Sequence, residues 1–318
     1  MAKIKKWFCL TDEAHVFDEP TEDGYCHIGM AYHGILEERI IGEEVRPTQP
    51  PPPELTSPPP SNEVGLCVFL MDASSSMADQ AFPGTKPTKM DLIATSAASG
   101  IFDLERMQNN PNAYVAAFKF DDSVELMFVD TVANLLLRFN KDVKKFANYL
   151  YDELYAMQGG TDINRALQQA YSFVDKFLKK QIPDFKVPDY TPMRQIILDS
   201  NGNSLSIANV RVLIYTDGMQ YDAAKNKVLQ DNLFKVKPLA GPNHDIVIGA
   251  FFGKENDEGC QELQSLLSPC PIHDELQFFL LDNPARINIL KNLFRMASGA
   301  SGFCPRCLEK QLTRKPNS

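Results

Sequence analysis

From residue 64 onward, short runs of unbroken apolar residues alternate with stretches whose apolar positions recur at helical spacing. "LCVFLMD" (66–72), "VRVLIYTD" (210–217), "DIVIGAFFG" (245–253) and "ELQFFLLD" (275–282) have little polar alternation, as strands buried on both faces require. Helical spacing fills 89–108, 141–156, 162–180, 221–236, 257–268 and 284–297. "AYVAAFKFD" and "SVELMFVD" are two further strands joined by a tight turn at Asp122 and Ser123. This rhythm predicts an α/β fold: a Rossmann-like, mainly parallel sheet flanked by helices on both faces. Residues 181–209 break the rhythm, with two strand-like arms around Asn201-Gly202 that read as an inserted hairpin.

The alternation begins after "PTQPPPPELTSPPP", within a linker placed at 47–63. Prolines at that density neither continue a helix nor donate to a sheet, so the segment reads as an extended polyproline II spacer. Residues 1–46 are too few for a large core and read as a small hairpin or a packing arm. The α/β domain is expected over 64–300, and 301–318 read as a solvated tail carrying a C-x-x-C pair. No run is apolar enough to span a bilayer, and "MAKIKKWFCL" has too short an apolar stretch for a secretory signal, so the expected compartment is the cytoplasm. A net charge of −9 disfavours nucleic acid, which selects basic surfaces.

Ligands of an open parallel sheet sit beyond the carboxyl ends of its strands. Asp72 ends one strand and is followed by Ala73-Ser74-Ser75-Ser76; Asp217 ends another; Gly159-Gly160-Thr161-Asp162 precedes a helix. Together these loops offer carboxylates and hydroxyls without His or Cys, a hard-oxygen set that suits Mg²⁺, Mn²⁺ or Ca²⁺ rather than zinc. Each residue also has a bland reading. Thr161 could cap a helix, Ser76 could cap a turn, and Asp217-Gly218 could be a strand-end turn. Asp162 is expected to support its helix start instead of a metal.

Asp72-x-Ser74-x-Ser76, followed in order by Thr161 and Asp217, resembles the von Willebrand factor A (VWA) domain with a complete metal-ion-dependent adhesion site (MIDAS). The resemblance implies Ser74, Ser76 and Thr161 as direct metal ligands, with Asp72 and Asp217 acting mostly through water. A metal held by neutral hydroxyls stays electrophilic and accepts an outside carboxylate, so a protein partner would supply an Asp or Glu. Ser75 is not in the ligand set. The stand-alone intracellular members of the family, including the tellurium-resistance type, imply a non-enzymatic interaction module in a stress or defence complex, beside an AAA+ ATPase, kinase or phosphatase.

Two other function classes compete. A Mg²⁺-dependent hydrolase or phosphoester-processing enzyme could use the same ion, but no general base, second metal set or nucleophile adjoins the motifs. An extracellular adhesin is disfavoured by the unpaired count of seven cysteines. "DEAH" (12–15) lacks any phosphate-binding loop, "DSNGNS" (199–204) lacks the Gly and Glu of a calcium loop, and "MASGASGF" lacks a nucleophile elbow. His244 and His273 read as structural or exposed. Cys304-x-x-Cys307 supplies half of a Zn²⁺ site, whose missing pair is sought in a partner chain or among Cys9, Cys26, His15, His27 and His33.

Overall fold

The computed structural model describes residues 63–106, 113–157, 159–182, 190–198, 201–218, 247–267, 269–297 and 304–313, together with the backbone of strands between 5 and 40. The chain divides into two units, Met1–Ser61 and Asn62–Ser318. The first holds strands β1 (Lys5–Cys9), β2 (Val16–Phe17), β3 (Tyr25–Ile28) and β4 (Ala31–Ile40). They form an antiparallel sheet in the order β2-β1-β4-β3, with Trp7 opposite Glu38 and a bulge between Cys26 and His27. The segment read as a hairpin or arm is therefore a four-stranded sheet. The proline-rich stretch up to residue 62 lies outside the described residues, as does the helix expected near 221–236.

In the second unit β5 (Glu63–Asp72) lies at the centre of the main sheet. Its other strands are β6 (Ala113–Phe120), β7 (Val124–Thr131), β11 (Val210–Thr216), β12 (Val247–Phe252) and β13 (Phe278–Leu281). The order is β13-β12-β11-β5-β6-β7, with the short β8 (Thr191–Pro192) pairing alongside the start of β5. Every pairing is parallel except β6 with β7. That exception follows from the connection: Ser123 donates both its amide and its hydroxyl to Asp121 Oδ1, which closes a turn too short for a crossover. From Val64 to Asp72 every residue of β5 is buried, and so is every residue of β6, β11 and β12. The unbroken apolar runs are thus explained by helices on both faces.

Val68 and Leu70 face α4 (Ile163–Leu178) and α5 (Glu258–Ser265), where Leu167, Ala170, Val174 and Leu263 complete one core. Phe69 points the other way, to α6 (Ile287–Ala297), its ring 4.7 Å from Phe294. On that side α1 (Lys89–Arg106) packs on α6 and on α3 (Val143–Tyr155), with Phe102 stacked on Phe146. Each such fully buried aliphatic or aromatic side chain contributes about 1.5–3 kcal/mol. The sheet is thereby fixed between two helical layers.

Two local features differ from the sequence reading, and the inserted hairpin matches it. A short helix α2 (Val132–Arg138) follows β7 directly, because Thr131 Oγ accepts the amide of Asn134 and turns the chain. Within 181–209, β9 (Arg194–Leu198) and β10 (Ser204–Ala208) form a ribbon whose turn has Gly202 at φ 82°, leaving Ile196 76% exposed. The expected solvated tail is instead a helix, α7 (Pro305–Thr313), because Cys304, Cys307 and Leu308 bury along one side of its start.

Candidate metal centre

The carboxyl ends of β5 and β11 lie side by side, since Tyr215 pairs with Met71. Asp72 and Asp217 therefore emerge next to each other. Asp72 is completely buried; its Oδ1 accepts the amide of Ser74 at 2.8 Å and its Oδ2 accepts the Thr216 hydroxyl. Burial raises its pKa from the ordinary 3.8 to about 7, with the neighbouring Asp217 charge adding to the rise and the Thr216 and Ser74 hydrogen bonds opposing it.

After Asp72 the chain makes a tight turn over Ser75–Ala78, anchored by burial of Met77. Ser74 stands at the cap position of that turn, yet its hydroxyl does not cap it. The hydroxyl lies instead 3.2 Å from that of Ser76, which donates to Asp217 Oδ1 at 2.7 Å. Ser75 is exposed and its amide donates to the carbonyl of Gly159, joining the first loop to the second. Asp217 Oδ2 is bound by the ammonium of Lys89, which also donates to the Ser76 carbonyl.

The second loop is held by the end of β6. Asp121 Oδ2 accepts the amide of Gly159 at 3.1 Å, Asp122 Oδ2 accepts that of Gly160 at 3.0 Å, and Asp162 donates its amide to the Asp121 carbonyl. A β-carbon on Gly159 would stand 2.8 Å from Asp121 Oδ2, which is why the position takes glycine. Asp162 caps α4 by accepting the amide of Arg165 at 3.0 Å. Thr161, buried just before that cap, is not used as one, and its hydroxyl lies against Gly218. A β-carbon on Gly218 would collide with that hydroxyl, so the glycine lets the third loop close on the second.

The structure thus brings Asp72, Ser74, Ser76, Thr161 and Asp217 to one edge of the sheet, on three loops. The residues fit a hard divalent cation. Five oxygen-bearing side chains converge, and an arriving cation would compensate the charge of the buried Asp72 carboxyl. Lys89 offsets one of the two carboxylates. A divalent ion added to Asp72, Asp217 and Lys89 would leave the centre net positive. The sequence gives no sign that Lys89 belongs here; its approach depends on how α1 is packed.

A second group of side chains that could hold a metal ion is only half legible in the sequence. Cys304 and Cys307 meet Cys270 and His273, all four ligand atoms lying within 4.8 Å of one another. The pair sought elsewhere is Cys270-x-x-His273, whose spacing is itself a ligand signal. The side chains of Cys9, Cys26, His15, His27 and His33 lie outside the described residues.

The fold and the first centre define a three-layered α/β domain whose sheet edge gathers oxygen-bearing side chains that could hold a cation. Residues 67–184 match the family model of the von Willebrand factor type A domain. That span carries Asp72, Ser74, Ser76 and Thr161, while Asp217 lies beyond it. No curated protein matches the chain. Among solved structures, an aerotolerance-related membrane protein from Bacteroides fragilis is similar at 12% identity over 74% of this chain and 98% of that one, with a TM-score of 0.38. Proximal thread matrix protein 1 from the mussel byssus, solved with a zinc-occupied MIDAS motif, is similar at 14% identity over 75% and 47%, TM-score 0.40. The SpRpn10 VWA domain is similar at 13% identity over 72% and 95%, TM-score 0.40. Among the described residues no helix is long and apolar enough to cross a membrane.

Proposed function

We propose that this chain is a metal-dependent protein-docking module of the VWA type, in which Mg²⁺ at Asp72, Ser74, Ser76, Thr161 and Asp217 receives an Asp or Glu side chain of a partner. The observation that carries the reading is the convergence of three loops on one set of hydroxyls and carboxylates, with Ser74 turned away from its capping role toward Ser76. Ser74, Ser76 and Thr161 would supply neutral oxygens, and the two carboxylates, already pinned by hydrogen bonds, would act chiefly through bound water. The bound ion supplies an electrophilic position for a carboxylate. Lys89 keeps the centre from being over-neutralised. Mg²⁺ is the favoured ion because a small all-oxygen site with an exchangeable position suits its octahedral demand. The partner system follows only from the family resemblance: a cytoplasmic stress or defence complex containing an AAA+ ATPase, kinase or phosphatase.

Two measurements test this. Mn²⁺, as a paramagnetic stand-in, is titrated into the wild-type chain and into Ser74→Ala, Asp217→Ala and Ser75→Ala. Binding should fall at least tenfold in the first two variants and stay unchanged in Ser75→Ala, whose hydrogen bond to the second loop is made by its backbone amide. Affinity capture from native cells is then compared with Mg²⁺ and with chelator. A partner retained equally under both conditions, and by Asp72→Ala, would overturn the docking role.

A further inference from the structure

We infer that Cys270, His273, Cys304 and Cys307 form a structural zinc site that fastens the C-terminal helix to the domain, at the pole opposite the docking centre. Tetrahedral zinc with Zn–S near 2.3 Å and Zn–N near 2.05 Å sets sulfur atoms about 3.8 Å apart and sulfur–nitrogen pairs about 3.5 Å apart. Cys270 Sγ and Cys307 Sγ are 3.8 Å apart, and His273 Nδ1 is 3.3 Å from both Cys304 Sγ and Cys307 Sγ. These match three of the six edges of a coordination tetrahedron, and all four ligand atoms lie within 4.8 Å of one another. These distances are far longer than the roughly 2.05 Å of a disulfide.

Each half of the site is shaped as a ligand loop. In Cys270-Pro271-Ile272-His273 the amide of Ile272 donates to Cys270 Sγ at 3.4 Å, a bond that favours thiolate over thiol. Asp274, at φ 54°, donates its amide back to the Cys270 carbonyl, so the loop folds on itself and presents both side chains inward. Cys304 immediately precedes α7 and Cys307 lies in its first turn, at the end where the helix dipole also favours negative sulfur. Arg306 reaches Glu275 across the outside at 3.5 Å. Among the described residues the three cysteines, at most 5% exposed, form a small cluster with the partly buried Ile272.

Charge completes the case. Three thiolates and a neutral imidazole around Zn²⁺ carry a net charge of −1, their three thiol protons having passed to solvent. Arg211, only 1% exposed, lies within electrostatic reach of Cys270 and Cys307 and has the opposite sign. Arg211 is near the amino end of β11 and Asp217 follows its carboxyl end, which separates the two metal centres by roughly 20 Å at about 3.3 Å per residue. The soft sulfur set selects zinc where the oxygen set selects Mg²⁺.

The test is metal analysis of the purified full chain, with cobalt as a spectroscopic substitute. Wild type should hold one zinc per chain after exhaustive dialysis, and Co²⁺ should give thiolate charge-transfer and intense tetrahedral d–d bands. Cys307→Ser and His273→Ala should lose zinc, whereas Cys260→Ser should keep it. The Ser74→Ala/Asp217→Ala double variant should also keep it, which excludes zinc held at the oxygen centre. Should the loss variants prove insoluble, His273→Cys decides: it should retain zinc and shift the cobalt bands toward those of an all-sulfur site. Absence of zinc and of a tetrahedral cobalt spectrum in wild type overturns the assignment. So does a disulfide among the four residues in freshly isolated protein, or zinc that follows Asp217 instead of Cys307.

Discussion

Asp217 holds Ser76 with one carboxylate oxygen and Lys89 with the other, so its charge is shared before any ion arrives. Lys89→Met should therefore raise divalent-cation affinity several-fold, because a competing positive charge is removed. The same variant should weaken carboxylate docking, since the ion would sit in a more negative shell; calorimetric titration with Mg²⁺, then with captured partner, separates the two effects. Asp72 contributes a pH response to the metal-free chain. Its folded pKa of about 7 lies above the ordinary 3.8, so the folded state holds a proton that the unfolded state releases first. The resulting stability is full below the lower value and is lost as pH rises to the upper one. In chelator, the melting temperature should fall across that window relative to Asp72→Asn, and added Mg²⁺ should reverse the fall; parallel curves for the two proteins would refute it.

At the scale of elements, the glycine loop is positioned by the strand beside it. Asp121 binds the Gly159 amide and also closes the β6–β7 turn through Ser123, so one carboxylate fixes two connections. Asp121→Ala should cost about 1–3 kcal/mol in urea unfolding. It should also weaken metal binding, although Asp121 is not in the ligand set. Gly218→Ala should abolish Mn²⁺ binding with a smaller loss of stability, because the added carbon drives into the Thr161 hydroxyl. The sequence made the strands legible: burial on both faces removes polar alternation, and Asp72 and Asp217 stand where apolar runs stop. It hid α2, because "TVANLLLR" reads as further apolar chain until Thr131 caps it. It also hid α7, whose few buried residues bury only because Cys270 and His273 are brought to them from thirty-odd residues away.

For the whole molecule, the two candidate metal centres occupy opposite ends of one sheet and share no side chain. Their effects should add. Stripping zinc should expose 304–313 to proteolysis while leaving Mn²⁺ affinity within about twofold, as independent sites at this separation behave; limited digestion and titration of the same sample check both. The oxygen centre was legible as a set of residue types on three loops, because topology alone sends the ends of parallel strands to one edge. The sulfur centre was only half legible, since a parallel strand's opposite end has no such rule.

The position of β5 has a mechanical consequence. The strand enters at Glu63, directly after the proline-rich stretch, and its far end is Asp72 in the candidate metal centre. It is paired in parallel from Gly65 to Asp72 with β6 and from Leu66 to Met71 with β11. Tension between a docked partner and the preceding chain would run along this strand and load both ladders in shear. In that geometry their hydrogen bonds would yield together, instead of one at a time as in unzipping.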